Sequence, residues 1–125
     1  MIRNPIGHAA TRILREVENL VRISNSDREK PIVVIEEIRS TDWASVTFVG
    51  QRHIFDLRLD GEVDAVAAAM VRLVDALPEH DIPIAGHFIA EIGVMPGIAV
   101  AAGARALPAG HASLSLRIAA LVLRD

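Results

Sequence analysis

The chain predicts an α+β fold, a two-layer sandwich in which two helices cover an antiparallel or mixed sheet of about five strands, in the order α-β-β-β-α-β-β. Three observations lead there. Apolar residues recur at helical spacing near the start of the chain and again over residues 62–77. Between and after those stretches the apolar residues alternate with polar ones, the signature of half-buried strands. Turn residues (Asp60-Gly61, Pro31, Pro78) separate the periodic segments. No internal repeat or linker divides the 125 residues, so one domain spanning 1–125 is expected, long enough to bury a core.

The first helix is expected over residues 5–23. Ala10, Ile13, Leu14, Val17, Leu20 and Val21 share one face, Arg12, Arg15, Glu16, Asn19 and Arg22 the other, and Pro5 suits the first turn. Ser24 to Lys30 is polar and aperiodic, an exposed loop ended by Pro31. Ile32 to Arg39 is β-branched and extended. Thr41 to Leu59 then reads as a hairpin turning at Gly50-Gln51, with Gly50 in the first central position of a primed turn. That register opposes Val49 to Arg52, Phe48 to His53, Val46 to Phe55 and Ala44 to Leu57. It places Ala44, Val46 and Phe48 on one apolar face with Phe55, Leu57 and Leu59.

Glu62 to Leu77 gives the clearest helix. Val63, Val66, Ala67, Met70, Val71, Val74 and Leu77 form its stripe, Glu62 and Asp64 lie at the positive end of its dipole, and Pro78 closes it. Ala85 to Val94 alternates as a further strand. Met95 to Gly110 is rich in Gly, Ala and Pro and is expected to be a long connection, of the kind that usually carries function. Ser113 to Arg124 is the last strand. Leu114, Leu116, Ile118, Ala120 and Val122 form one apolar face, while the odd positions change from Ser113, Ser115 and Arg117 to Ala119, Leu121 and Leu123. A strand apolar on both faces at one end calls for a second covering layer, such as another subunit.

Composition removes several functional classes. The absence of cysteine excludes disulfides, thiolate metal sites and a Cys nucleophile, and favours an intracellular setting. A net charge of −3 gives no footprint for nucleic acid. No run is long and apolar enough for a membrane span or signal peptide. Hydrophobic residues make up 51% of the chain but aromatic ones only 3%, with a mean hydropathy of +0.35. Such an aliphatic surplus in so small a domain points to burial against another chain.

Candidate chemistry is sparse. His53, His87 and His111 each sit near a strand start. If they converged at one sheet edge they would offer imidazoles to zinc or another divalent ion, with Glu91 on the face of His87 as a carboxylate. Histidines at strand ends more often cap or pack. Ser113 or Ser115 with His111 or His87 would need a nucleophile elbow that the sequence lacks. Glu36 and Glu37, as neighbours in a strand, should face opposite ways and so not act as a pair. The glycines fit neither dinucleotide nor phosphate-loop patterns. Trp43 is expected to pack at a sheet end, or else to anchor an interface. No catalytic residue and no cofactor is therefore assigned.

The layout resembles the tail-completion or tail-terminator family of long-tailed bacteriophages and gene transfer agents. The resemblance is carried by the N-terminal helix, Pro31 to Glu37, Thr41-Asp42-Trp43, Arg52-His53 opening a strand that ends Leu57-Arg58-Leu59, Ala76-Leu77 closing the second helix, and two terminal strands finishing in Leu116-Arg117-Ile118. It covers most of the chain by order and pattern. What it implies is a non-enzymatic structural protein, commonly a hexameric ring, that ends a tail tube and joins it to the head-side connector. Such a protein is cytoplasmic during assembly and then part of a virion or virion-like tail, without direct recognition of nucleic-acid sequence and without a membrane. The contacts would come from Trp43, from Met95, Ile98, Val100 and Leu107 in the long connection, and from Leu121 and Leu123 on the last strand. The alternatives are a small metal-binding domain or enzyme using His53, His87, His111 and Glu91, or a dimeric partner-binding module.

Overall fold

The computed structural model describes residues 7–23, 30–100 and 108–125, with the side chains of 98–100 left out of the description. The elements are α1 (His8–Arg22), β1 (Ile32–Ala44), β2 (Val49–Glu62), α2 (Val63–Ala76), a short 3-10 turn (Leu77–Glu79), β3 (His87–Val100) and β4 (His111–Arg124). The strands form one sheet in the order β1-β2-β4-β3, every neighbouring pair antiparallel. The helices cover one face, giving the expected α+β two-layer arrangement. β2 and β3 run the same way, and β4 is inserted between them, so α2 links the two halves of a split β-α-β unit.

The core forms where helical and strand periodicities meet. Ala10, Ile13, Leu14, Val17, Leu20 and Val21 of α1 are all buried, as their spacing requires. They pack with Phe55, Leu57 and Leu59 of β2, Leu116, Ile118, Ala120 and Val122 of β4, and Val66, Ala69, Met70 and Leu73 of α2. Long-range polar contacts tie the helices down. Arg72 Nη1 donates to the Leu20 carbonyl at 2.8 Å, near the end of α1 where carbonyls lack helical partners. Arg12 Nε donates to the Pro83 carbonyl at 3.2 Å. The Val63 N–H, opening α2, donates to the Gly110 carbonyl at 2.9 Å, and Gly110 reaches that position with φ +78°.

Three boundaries differ from the sequence expectation. The first is the hairpin. The expected strand over residues 32–39 and the first arm of the hairpin are one continuous β1, so the sheet has four strands among the described residues. The chain reverses at Ser45 to Phe48 instead of Gly50-Gln51. Ser45 N–H donates to the Phe48 carbonyl at 2.8 Å, and Ser45 Oγ accepts the N–H groups of Thr47 at 3.3 Å and Phe48 at 3.1 Å. Ala44 therefore opposes Val49, Ser40 opposes His53, Ile38 opposes Phe55 and Ile35 opposes Leu57. Phe55, Leu57 and Leu59 are buried as expected, whereas Val46 is fully exposed at 106% and Phe48 is exposed. Gly50 does not have the positive φ a primed turn would need. It is required for another reason: a Cβ there would collide with the Val122 carbonyl oxygen and lie 2.8 Å from Leu123 Cα.

The second is the Gly/Pro-rich segment. Residues 95–100 continue β3, with Met95 opposite Arg117 and Val100 opposite Ser113. The connection shrinks to 101–110, of which 101–107 lie outside the described residues. Pro96 is tolerated because β3 is an edge strand whose register shifts between Pro96 and Ala99, and Gly97 lies against Ser115, where a Cβ would stand 3.0 Å from its carbonyl oxygen.

The third is the stripe of α2. Val66, Met70 and Leu77 are buried, joined by Ala69 and Leu73, but Val63, Ala67, Val71 and Val74 are exposed. The stripe is wider than the surface available to cover it.

Candidate interaction surface

The face of the sheet opposite the helices has a charged half and an apolar half. On the charged half, Arg117 makes a two-pronged contact with Asp56, Nε at 2.7 Å and Nη2 at 3.1 Å. Arg39 reaches the same carboxylate at 3.9 Å and Glu37 at 3.4 Å. One step along, Arg58 bridges Asp60 at 2.9 Å and Glu36 at 3.1 Å. The buried Ser113 hydroxyl donates to Asp60 at 2.5 Å. The Arg117 hydrogen bonds hold the Asp56 carboxyl below its usual range, and the Asp60 carboxylate raises Arg58.

Glu36 and Glu37 both belong to this face, contrary to the expectation from simple alternation. A bulge between Ile35 and Glu37 inserts one residue, so Glu37 pairs across from Asp56 while Glu36 still reaches Arg58. Both carboxylates are engaged by guanidinium groups. The result is a cross-strand charge ladder.

The apolar half lies toward the β1–β2 turn. Leu121 and Leu123 are each only 5% exposed within the single chain. Leu123 stands opposite Gly50 on one side and Phe88 on the other, and Phe88 meets Phe48 edge-on with ring centroids 5.6 Å apart. The covering layer anticipated for this end of β4 is thus supplied in part by the chain's own turn. Phe48 reaches it because the turn falls at Ser45 to Phe48.

The histidines separate. His53 and His87 line a cleft of about 630 Å³ at the turn end of the sheet, together with Ala9, Asp42, Trp43, Gln51, Val122 and Arg124. His111 opens β4 opposite Glu62, at the other end of the sheet. Its Nδ1 lies 3.3 Å from the Ala109 carbonyl, as that of His87 lies 2.9 Å from the Ala85 carbonyl. Glu91 is exposed and 3.9 Å from Arg52. Among the described residues no group of three or more His, Cys, Asp or Glu is placed to hold a metal ion.

Sequence reasoning passed over one serine–histidine contact. Ser40 Oγ lies 2.7 Å from His53 Nδ1, a pair visible only once the true register sets these residues opposite each other. His53 is buried, its Nε2 has no hydrogen-bond partner, and burial pushes its pKa down. An imidazole made less basic, with no acid to orient its far nitrogen, is a poor general base. The pair is better suited to fixing β1 on β2.

Of the remaining expected interface residues, Trp43 is half-buried beside the cleft and Met95 is exposed at 52%. Ile98 and Val100 belong to β3, but their side chains lie outside the description, and Leu107 lies outside the described residues. β1 and β3 are the edges of the sheet, whereas β4 is hydrogen-bonded on both sides. No helix among the described residues is long and apolar enough to cross a membrane.

No protein-family profile matches the chain, and no curated protein matches it. Among solved structures, the fold is similar to a chain from a structure titled "Virion of native gene transfer agent (GTA) particle", with a TM-score of 0.59, 18% sequence identity and 90% of each chain covered. At that identity the likeness is one of fold.

Proposed function

We propose that the chain is a non-enzymatic structural protein of a virion or virion-like particle, forming a ring, commonly of six copies, that ends the tail tube and joins it to the head-side connector. The observation that carries this is the fold likeness to a chain of a gene transfer agent particle over 90% of both chains. It agrees with the family resemblance drawn from the order and motifs of the sequence.

The physical character of the surface supports the same reading. Val63, Val71 and Val74 of α2, Ile32 and Ile35 of β1, and Met95 of β3 are exposed in the isolated chain, as expected of a subunit that buries aliphatic surface in an assembly. A ring requires a heterologous contact between different patches of neighbouring copies, burying on the order of 800 Å² per partner if of standard size. The tube protein and the connector would meet the two rims, with Trp43 and the segment after Met95 as contacts. The protein would be cytoplasmic while assembly proceeds and afterwards part of the particle.

Absolute mass by light scattering after size exclusion, across a range of concentrations and with metal assayed on the same fractions, tests this. A metal-free ring, seen by electron microscopy and capping the ends of tail tubes, is the expected result. A metal-loaded monomer or dimer that never forms rings would overturn the assignment.

A further inference from the structure

Among the described residues the two edges of the sheet are long and open. β1 has 13 residues and β3 has 14, and among the described residues each has a single ladder partner, β2 for β1 and β4 for β3. Unpaired edges of that length are templates for another strand, and chains that remain monomeric usually shorten, break or cover them. β1 has one bulge, between Ile35 and Glu37, after which Glu37 to Ala44 run in unbroken register. β3 has shifts at Ile89/Glu91 and Pro96/Ala99, leaving Glu91 to Pro96 regular between them.

Strand direction selects how two copies can join. Four strands, each antiparallel to its neighbour, leave β1 and β3 antiparallel to one another. A rotation about an axis lying along the strands preserves strand direction, so it brings β3 of one copy beside β1 of the next in antiparallel sense. The alternation then continues across the boundary without a break. A contact of β1 with its own copy would instead need a two-fold axis perpendicular to the sheet, and it would set Glu36, Glu37 and Asp42 against themselves with only Arg39 to offset them. β3 carries a single acidic or basic residue other than histidine, Glu91, so it meets the acidic edge with little repulsion.

From this we propose that β1 and β3 are the two halves of a head-to-tail contact, through which copies of this chain join their sheets edge to edge. The inference deepens the ring assignment and rests on it only for closure. The contact itself requires only a second copy.

The chain has no cysteine, which makes disulfide trapping clean. Within one copy β1 and β3 are three inter-strand spacings apart, roughly 14 Å, whereas a disulfide needs Cα atoms within about 7 Å. Any bond between them must therefore join two copies. Thr41→Cys and Glu37→Cys on β1 are each combined with Glu91→Cys, Gly93→Cys or Met95→Cys on β3, since the register across the boundary is free to differ by steps of two. Thr41, Glu37, Glu91 and Met95 are exposed, and an added Cβ at Gly93 meets nothing within 4 Å.

At least one pair is expected to give, on oxidation, a covalent ladder running beyond the dimer, while each single variant stays monomeric on a denaturing gel. Amide exchange in β1 and β3 should slow on assembly at least tenfold relative to the dilute chain. Covalent dimers from Thr41→Cys alone would overturn the proposal in favour of a two-fold contact. Native-size assemblies that form while no pair cross-links would overturn it and leave the ring assignment standing. A chain that stays monomeric at all concentrations, with no cross-link, would overturn both. A ladder that electron microscopy shows as open filaments would uphold the contact and overturn the terminating ring.

Discussion

At the scale of single residues, the two most informative positions are His53 and Gly50. Burial lowers the pKa of His53, so at neutral pH the folded protein holds a neutral imidazole. The unfolded chain takes up a proton as pH falls through the ordinary histidine value near 6.5, and the folded chain does so only at lower pH. Stability is therefore retained above about pH 6.5 and declines as pH drops through the window down to the folded value. Replacing His53→Leu should flatten the dependence of the denaturation midpoint on pH between 7 and 5 relative to wild type. An unchanged slope would mean that His53 binds its proton equally well in the folded and unfolded chain. Gly50 makes a steric prediction instead. Gly50→Ala places a methyl against backbone atoms of Val122 and Leu123, which cannot rotate away, so β2 and β4 must part locally. A loss of about 1–3 kcal/mol by urea denaturation is expected.

At the scale of elements, two substitutions separate helix packing from turn formation. Leu73 of α2 is fully buried in the core, and Leu73→Ala should cost roughly 2–5 kcal/mol through lost burial and the cavity left behind. Ser45→Ala removes the acceptor for two N–H groups at an exposed turn, where water can replace it, so a loss of about 0.5–1 kcal/mol is expected. Equal effects by thermal melting would mean that the turn contributes as much to stability as this part of the core. The helices were legible because their spacing is local: every expected core residue of α1 is buried. The hairpin was only half legible. Phe55, Leu57 and Leu59 alternate correctly whichever strand they face, but the partner strand depends on where the chain turns. Glycine marked Gly50 as the turn, while its actual service is to let β2 approach β4, 73 residues further along at Leu123. No short-range pattern carries that distance.

At the scale of the whole molecule, the described helices lie on one face of the sheet, and among the described residues β1 and β3 form its two edges. If copies join through β1 and β3, the cross-strand charge ladder of Arg39, Asp56, Arg58 and Arg117 lies away from the helices all along the joined sheet. Its exposed ion pairs contribute little to the stability of one subunit and are screened by salt. Raising salt should accordingly leave the melting temperature of the dilute chain within a few degrees of its low-salt value. It should also screen the mutual repulsion of chains that each carry a net charge of −3, so assembly should occur at lower protein concentration in light scattering. Assembly weakened by salt would show that opposite charges, not backbone pairing, hold the copies together.

The sequence alone determined the α+β class, the two helices and the strand-forming stretches around them, and the buried faces of α1 and β2, because each follows from the local periodicity of apolar side chains. Only the tertiary structure decided the rest. It set which residues turn the first hairpin, put β4 between β2 and β3, drew Pro96 and Gly97 into an edge strand, and sent His111 to the opposite end of the sheet from His53 and His87. It also brought Glu36 and Glu37 to one face through a bulge. These features depend on contacts between residues far apart in the chain, where closing the loop, filling the space between backbones and pairing every buried N–H are settled together, and no single segment carries the information.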